Sequence, residues 1–449
     1  MKFFTLTPSE HLAVITNEQS YTYKQLIHAA GEFLLNSEQK ELILLLCKNT
    51  FERLAAYVAA LNNKHAVMLV ANDLNSELLQ SIVEQYKPKW IVGEAEFEGY
   101  EREGAVLRRV EFCDYTVHPD LAVLLSTSGT TGSQKFVRLS YNNIRTNAKS
   151  IIKYLSINDK ELAVMNLPMS YSYGLSIVNS HLLAGSALML TEESIMEKSF
   201  WTLVRERRAT SLAGVPFTYQ MLQRIGFMNM DLPHLKTLTQ AGGRLNEKLV
   251  KVFGEYAREN GKRFFVMYGQ TEASPRMSYI PHDRVLEKNG SIGIAIPGGE
   301  LSIDKETSEL IYKGANVMMG YAQCLEDLAK DNEMSGVLHT GDTVTVDADG
   351  YFTITGRIKR FIKLFGLRIN LDEVEKKLEI EIHTSIACTG NDDKLVVALE
   401  SDEHAKKVKS SIERYYKLHH TAYKIKILEE IPRLTNGKID YMKLKEMCI

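Results

Sequence analysis

The chain is expected to be an α/β protein: a large N-terminal domain of layered α/β subdomains, a small β-rich subdomain, and a small α+β C-terminal domain. Three observations predict this. Residues 41–70 read as strand, helix, strand. Apolar strand patterns recur at 121–125, 162–168, 235–245 and 263–272, several ending in glycine or proline. Beyond residue 356 the charge balance changes: 19 Lys/Arg stand against 15 Asp/Glu, a net of +4, which leaves −6 for residues 1–356. The expected domains are therefore 1–356 and 357–449.

Glu41 to Cys47 is an unbroken apolar strand after its first residue. Asn49-Thr-Phe-Glu52 is expected to open a helix as a capping box. Phe51, Leu54, Ala55, Val58 and Leu61 fall on one face of that helix, and Ala66–Val70 is the next strand, completing a parallel βαβ unit. Leu121–Leu125 is a buried strand. After it, Ser126 to Ser133 consists only of hydroxylic residues and glycine, with no charge before Lys135. Such a loop offers many donors, and Gly129 and Gly132 let successive N–H groups converge on an anion. A solvated Ser/Thr loop is the plain alternative.

Asn142–Tyr154 has a helical pattern, and Leu162–Pro168 reads as a strand ending at proline. Tyr171-Ser-Tyr-Gly174 follows a strand end, where open parallel sheets bind ligands; a core turn lined by tyrosines would look the same. Gly242-Gly243 would let a flat ring approach the backbone. Tyr268 suits stacking on such a ring, and Glu272 beside Thr271 suits Mg²⁺ near phosphate. Residues 301–356 carry Gly-rich turns and read as β-rich. There Asp342 suits a ribose diol, because a carboxylate accepts from both hydroxyls. Asn370 is expected to cap a helix over 371–378, and Asn436-Gly437 places Lys438 at a turn.

Length and composition bound the rest. The chain has 449 residues and a formal charge of −2, which fits two or three domains and gives no sign of nucleic-acid binding. Its five cysteines are scattered, with no C-x-x-C pair, so neither a disulfide framework nor a zinc cluster is expected. The N-terminus lacks the apolar length of a signal peptide, and no stretch reaches the ~18 apolar residues of a membrane span. A soluble cytoplasmic protein without a membrane partner is expected.

In order, Thr127-Ser128-Gly129-Thr130-Thr131-Gly132-x-x-Lys135, Gly242-Gly243-Arg244, Tyr268-Gly269-Gln270-Thr271-Glu272, Thr-Gly-Asp342, Gly-Arg357 and Thr-Asn-Gly-Lys438 resemble the motifs of the adenylate-forming superfamily. That superfamily includes acyl-CoA synthetases, peptide-synthetase adenylation domains and luciferases. Gln134 and Phe136 depart from its usual Pro and Gly, and Arg244 from a small or acidic residue. The resemblance implies ATP and Mg²⁺ as cofactors. It implies that residues 127–135 hold the β- and γ-phosphates, residues 242–244 and 268–270 the adenine, and Asp342 and Arg357 the ribose. Lys438, Thr271 and Glu272 are then catalytic, with Glu272 on the metal. Lys359 becomes the hinge of a mobile C-terminal domain, and Gly366 lines the thiol channel.

The implied reaction joins a carboxylic acid to AMP and passes it to CoA or a carrier protein. Tyr171, Ser172 and Tyr173 align with acid-binding residues. Ser172 stands where peptide-synthetase domains carry an Asp for the substrate ammonium, which favours a fatty or aromatic acid. An amino-acid–carrier-protein ligase of the D-alanine type, with Asp231 or Glu300 serving instead, stays open, as does a catalytically silent relative.

Overall fold

The computed structural model describes residues 3–4, 6–33, 37, 39–126, 135–357, 360–364, 367–391, 394–416, 418–434 and 437–448. The expected positions Thr127 to Gly132, Lys359 and Gly366 lie outside the described residues. The chain divides into two compact units, Met1–Glu300 with Tyr312–Leu338, and Leu301–Ile311 with His339–Ile449. Packing thus groups residues 339–356 with the C-terminal segment.

Among the described residues, the first unit holds a nine-stranded and an eight-stranded sheet. The eight-stranded sheet has a parallel centre in which Leu42–Cys47 pairs with Ala66–Ala71, and Ala66–Ala71 with Leu121–Ser126. Antiparallel Phe136–Ser140 and Gly320–Ala322 extend it. The nine-stranded sheet runs parallel through Ala187–Leu190, Leu162–Met165, Ser211–Gly214, Thr237–Gln240 and Arg263–Gly269. Arg276–Ile280 then pairs antiparallel. The apolar runs are strands because both sheet faces are covered, which rewards Val, Leu and Ile at every position.

The helix Phe51–Asn62 departs from the expected single apolar face: residues 54–61 are all buried. It packs against strands Leu42–Cys47 and Ala66–Ala71 on one side. On the other it meets the helix Tyr23–Glu32, and Tyr57 Oη donates to Asn179 Oδ1 at 2.8 Å on the helix Ser172–Ala184. Its cap also differs. Thr50, not Asn49, is the N-cap and accepts from Arg53 N at 3.4 Å. The residue three positions on is then arginine, so no capping box forms. Asn49 instead donates to Met165 O at 2.8 Å and Leu167 O at 3.2 Å, tying down the end of a neighbouring strand.

In the second unit, strand residues 342–346 pair antiparallel with Phe352–Arg357. A hairpin, Phe361–Leu364 with Leu367–Asn370, precedes the helix Leu371–Ile382. Asn370 caps that helix as expected, accepting from Asp372 N at 3.0 Å. A three-stranded sheet, Ala387–Asn391, Lys394–Leu399 and Tyr423–Ile427, backs it. The core is a cluster of aliphatic side chains including Ile362, Val374, Leu378, Val397, Val408 and Ile412. All five cysteines are free thiols. Among the described residues, no helix is long and apolar enough to cross a membrane.

Candidate active site

The parallel strands of the nine-stranded sheet end on one side, and the segments 171–173, 242–244 and 268–272 lie at or after three of those strand ends. Gly242 has φ of +86°, and a Cβ on it would lie 2.3 Å from Tyr171 Oη and 3.1 Å from Val215 Cγ1. A side chain at 242 would therefore collide with the tyrosine, so glycine serves both the turn and the close approach. Gly269 is equally constrained, since a Cβ there would lie 1.6 Å from the Pro275 carbonyl oxygen. Gln270 Nε2 donates to Tyr268 Oη at 3.3 Å, joining two residues expected at the adenine.

The segment 171–173 divides between pocket and core. Tyr171 is part-buried, and burial raises its hydroxyl pKa to about 12. It is the last residue before the helix Ser172–Ala184 and makes no side-chain cap. Ser172 opens that helix, with Oγ 3.1 Å from Thr271 Oγ1. That contact sets the N-terminus of the helix, the positive end of its dipole, beside Thr271. Tyr173 takes the core position instead: it is buried and donates to Thr239 O at 3.0 Å.

Glu272 accepts from Tyr321 Oη at 3.0 Å, and its backbone carbonyl accepts from Met318 N at 2.9 Å. Lys135 Nζ lies 3.3 Å from the centroid of the Tyr321 ring. Burial and the neighbouring Glu272 raise the Tyr321 pKa, so the phenol stays a donor. Tyr321 therefore links the cation after the Ser/Thr/Gly loop to the expected metal carboxylate. The motifs did not point to it, because it sits about fifty residues beyond Glu272 on an edge strand. Arg244 pairs with Glu247 at 3.0 Å, and its side chain is 40% exposed, a surface contact worth at most about 1 kcal/mol.

The second unit holds the remaining expected residues. Asp342 and Arg357 are cross-strand partners. Arg357 Nε donates to Asp342 Oδ1 at 2.9 Å, and Asp342 is only 2% exposed. Lys438 lies on the returning arm of a tight turn. Gly437 has φ of +78°, Leu434 N donates to Lys438 O at 2.8 Å, and Arg433 bridges Ile439.

A buried ionic group, which no motif indicated, anchors that arm. Arg360 donates to Glu375 Oε1 at 2.9 Å and to the Cys388 carbonyl at 2.7 Å, and also pairs with Asp372. Tyr441 Oη donates to Glu375 Oε2 at 2.9 Å, and the Arg360 guanidinium lies 3.6 Å from the Tyr441 ring centroid. Burial raises the Glu375 pKa, and the Arg360 charge pulls it back. Pattern alone would have shown only an arginine and a glutamate at strand and helix positions.

A glycine held against Tyr171, a carboxylate that accepts from a phenol, and a hydroxyl pair at a helix N-terminus thus lie on an α/β scaffold. A family model described as AMP-binding enzyme matches residues 4–322, and the chain belongs to that family. Among similar proteins, a feruloyl-CoA synthase of Amycolatopsis sp is 29% identical over 272 residues, covering 58% of this chain and 54% of its own. A medium-chain fatty-acid–CoA ligase of Escherichia coli K12 is 27% identical, covering 74% and 62%. A D-alanine–D-alanyl carrier protein ligase of Staphylococcus epidermidis is 25% identical and covers 100% and 98%. The chain thus spans between about half and three fifths of the first two relatives. Among solved structures, o-succinylbenzoate CoA synthetase from Bacillus subtilis bound to its acyl-adenylate superposes with a TM-score of 0.78 at 21% identity, covering 99% and 96%. ATP-bound MatB from Rhodopseudomonas palustris gives 0.79 at 20%, covering 100% and 99%. Both share the fold.

Proposed function

We propose that this chain uses ATP to activate a carboxylic acid as an acyl-adenylate, releasing pyrophosphate, and then passes the acyl group to a phosphopantetheine thiol. The acceptor is CoA or a carrier protein. The observation that carries this is the run of contacts from Ser172 through Thr271 and Glu272 to Tyr321 and Lys135. It sets an anion-receptive helix terminus beside a hydroxyl, a carboxylate and a mobile cation, in a member of the AMP-binding family.

In the first half-reaction a substrate carboxylate oxygen bonds to the α-phosphorus of ATP, and the bond to the pyrophosphate oxygen breaks. The carboxylate is already ionised at neutral pH, so no base is needed. Two anions approach each other, and rate comes from positioning and charge compensation. Thr271 donates to the α-phosphate, and Lys438 bridges it to the carboxylate. Lys135 serves the outer phosphates together with Thr127, Ser128, Gly129, Thr130, Thr131 and Gly132. Gly242, Gly243, Tyr268, Gly269 and Gln270 take the adenine, with Arg244 at the edge, while Asp342 and Arg357 take the ribose. A single carboxylate such as Glu272 suits Mg²⁺, which keeps waters and phosphate oxygens as its other ligands. Bound there, the ion would neutralise charge on the departing pyrophosphate.

Tyr171 and Ser172 face the acid. Thiol transfer then requires Lys438 to withdraw by rotation at Lys359, with Gly366 passing the pantetheine arm. On this reading residues 1–356 and 357–449 are the bodies that move. ATP–pyrophosphate exchange across a panel of acids tests the first step. Exchange with acyl or aryl acids supports it, and ADP release instead of AMP refutes it. The full-length match to the carrier-protein ligase favours a second reading, D-alanine activation. Uncharged Ser172 speaks against an ammonium there, and exchange stimulated only by amino acids would decide for it.

A further inference from the structure

Arg276 carries a charge that no described residue balances. It opens the strand Arg276–Ile280 and is 2% exposed. Its Nε and Nη2 lie 3.4 and 3.1 Å from Ser176 Oγ, and its Nη1 lies 2.7 Å from Met267 Sδ. Its Cζ lies 4.1 Å from the centroid of the Tyr173 ring. These partners are a hydroxyl, a thioether and an aromatic face, all neutral. Among the described residues no carboxylate pairs with it. Arginine does not shed its proton in a protein, and buried arginines are ordinarily paired. Breaking such a pair leaves the surviving charge as the costly species, so the arrangement calls for an anion from outside the chain.

The place of this cation is specific. Ser176 follows Ser172 by one helical turn, so the two serines share one face of the helix, about 6 Å apart along its axis. Ser172 touches Thr271 at 3.1 Å, where the reacting carboxylate is read to meet ATP. Arg276 therefore waits roughly one turn deeper than the reaction centre. It also lines a cavity of about 30 Å³ with Ile177, Ser180 and Thr239. That space admits water-sized groups. Glu161, at the same cavity, is occupied elsewhere: it accepts from the Thr210 hydroxyl and lies 3.9 Å from Arg263.

We infer that the acid activated by this protein is a dicarboxylic acid. One carboxylate reacts beside Thr271, and the second pairs with Arg276, with a spacer of a few carbons or one aromatic ring between them. The inference rests on the adenylation reading and narrows its substrate class. The second carboxylate supplies the bidentate partner that a guanidinium fork matches, and Ser176 holds that fork in place. A plain fatty acid would leave the cation buried and uncompensated.

The test is pyrophosphate exchange with matched pairs: succinate against butyrate, glutarate against pentanoate, phthalate against benzoate. The expected result is at least a tenfold higher kcat/KM for one or more di-acids over their mono-acid partners. In Arg276→Gln that ratio should fall toward one, mainly through the KM of the di-acid. If Arg276→Gln does not fold, Ser176→Ala should lower the same ratio, and the wild-type comparison stands alone. Faster exchange with the mono-acids throughout would overturn the inference and leave adenylation intact. If no acid of either kind supports exchange while ATP binds, the adenylation reading falls and takes the inference with it.

Discussion

Tyr321→Phe isolates one atom at the junction of Lys135 and Glu272. The substitution keeps the ring under Lys135, at 3.3 Å from Nζ to centroid, and removes only the hydroxyl that donates to Glu272 at 3.0 Å. A hydrogen bond to a charged acceptor contributes about 1.5–3 kcal/mol. Both residues are only part-buried, and solvent screening brings the value down to about 1–2 kcal/mol. If Tyr321 orients Glu272 for Mg²⁺, the variant should lose about 5- to 30-fold in kcat/KM for Mg·ATP. The Mg²⁺ concentration giving half-maximal exchange should rise in step. Folding should change little, because the strand Gly320–Ala322 keeps its pairing to Phe136–Ser140. The assay is pyrophosphate exchange titrated with Mg²⁺ at fixed ATP, alongside a thermal melt. An unchanged Mg²⁺ dependence would refute the assignment. So would a drop in melting temperature large enough to explain the lost activity.

Lys438→Ala should reduce adenylation by orders of magnitude yet spare thiolation of a supplied acyl-adenylate; equal loss in both half-reactions contradicts the two-position reading. Glu375→Gln keeps the shape of the buried group but removes one of the two carboxylates on Arg360, leaving Asp372, and should cost the second unit about 1–3 kcal/mol in urea denaturation; a variant as stable as the parent would show the Glu375 charge to be dispensable. Burial lowers the pKa of His181 to about 4 from 6.5, while its Nδ1 lies 2.9 Å from the Ile177 carbonyl. The unfolded chain therefore takes up this proton first, and stability should fall by roughly 3 kcal/mol as pH drops from 6.5 to 4. His181→Gln should flatten that slope in melts across the range, and parallel slopes would remove His181 as the cause.

Much of this site was readable in advance because its chemistry is local. The glycines at 242 and 269 sit where a Cβ would strike Tyr171 or Pro275, and short motifs announce such demands. Asn370 caps its helix for the same reason, since the signal and the structure lie two residues apart. What stayed hidden depends on distant partners. Tyr321 reaches Glu272 only because Gly320–Ala322 is laid along Phe136–Ser140. Arg276 looks like an ordinary strand residue until burial removes every counter-ion. The cap at Thr50 moved one place from expectation because Asn49 found acceptors at Met165 and Leu167, which no local pattern contains. The helix behind it reads as amphipathic, and layered packing made it buried all round.

That helix sets a gauge. Four alanines, at 55, 56, 59 and 60, hold the layers above and below it at a fixed separation, and all four are essentially inaccessible. Widening any of them would press the strands Leu42–Cys47 and Ala66–Ala71 away from the helix Tyr23–Glu32 and push on Asn179 through Tyr57, shifting the helix that Ser172 opens. Efforts to reshape the Ser172 end of that helix should treat this rod as part of the mould.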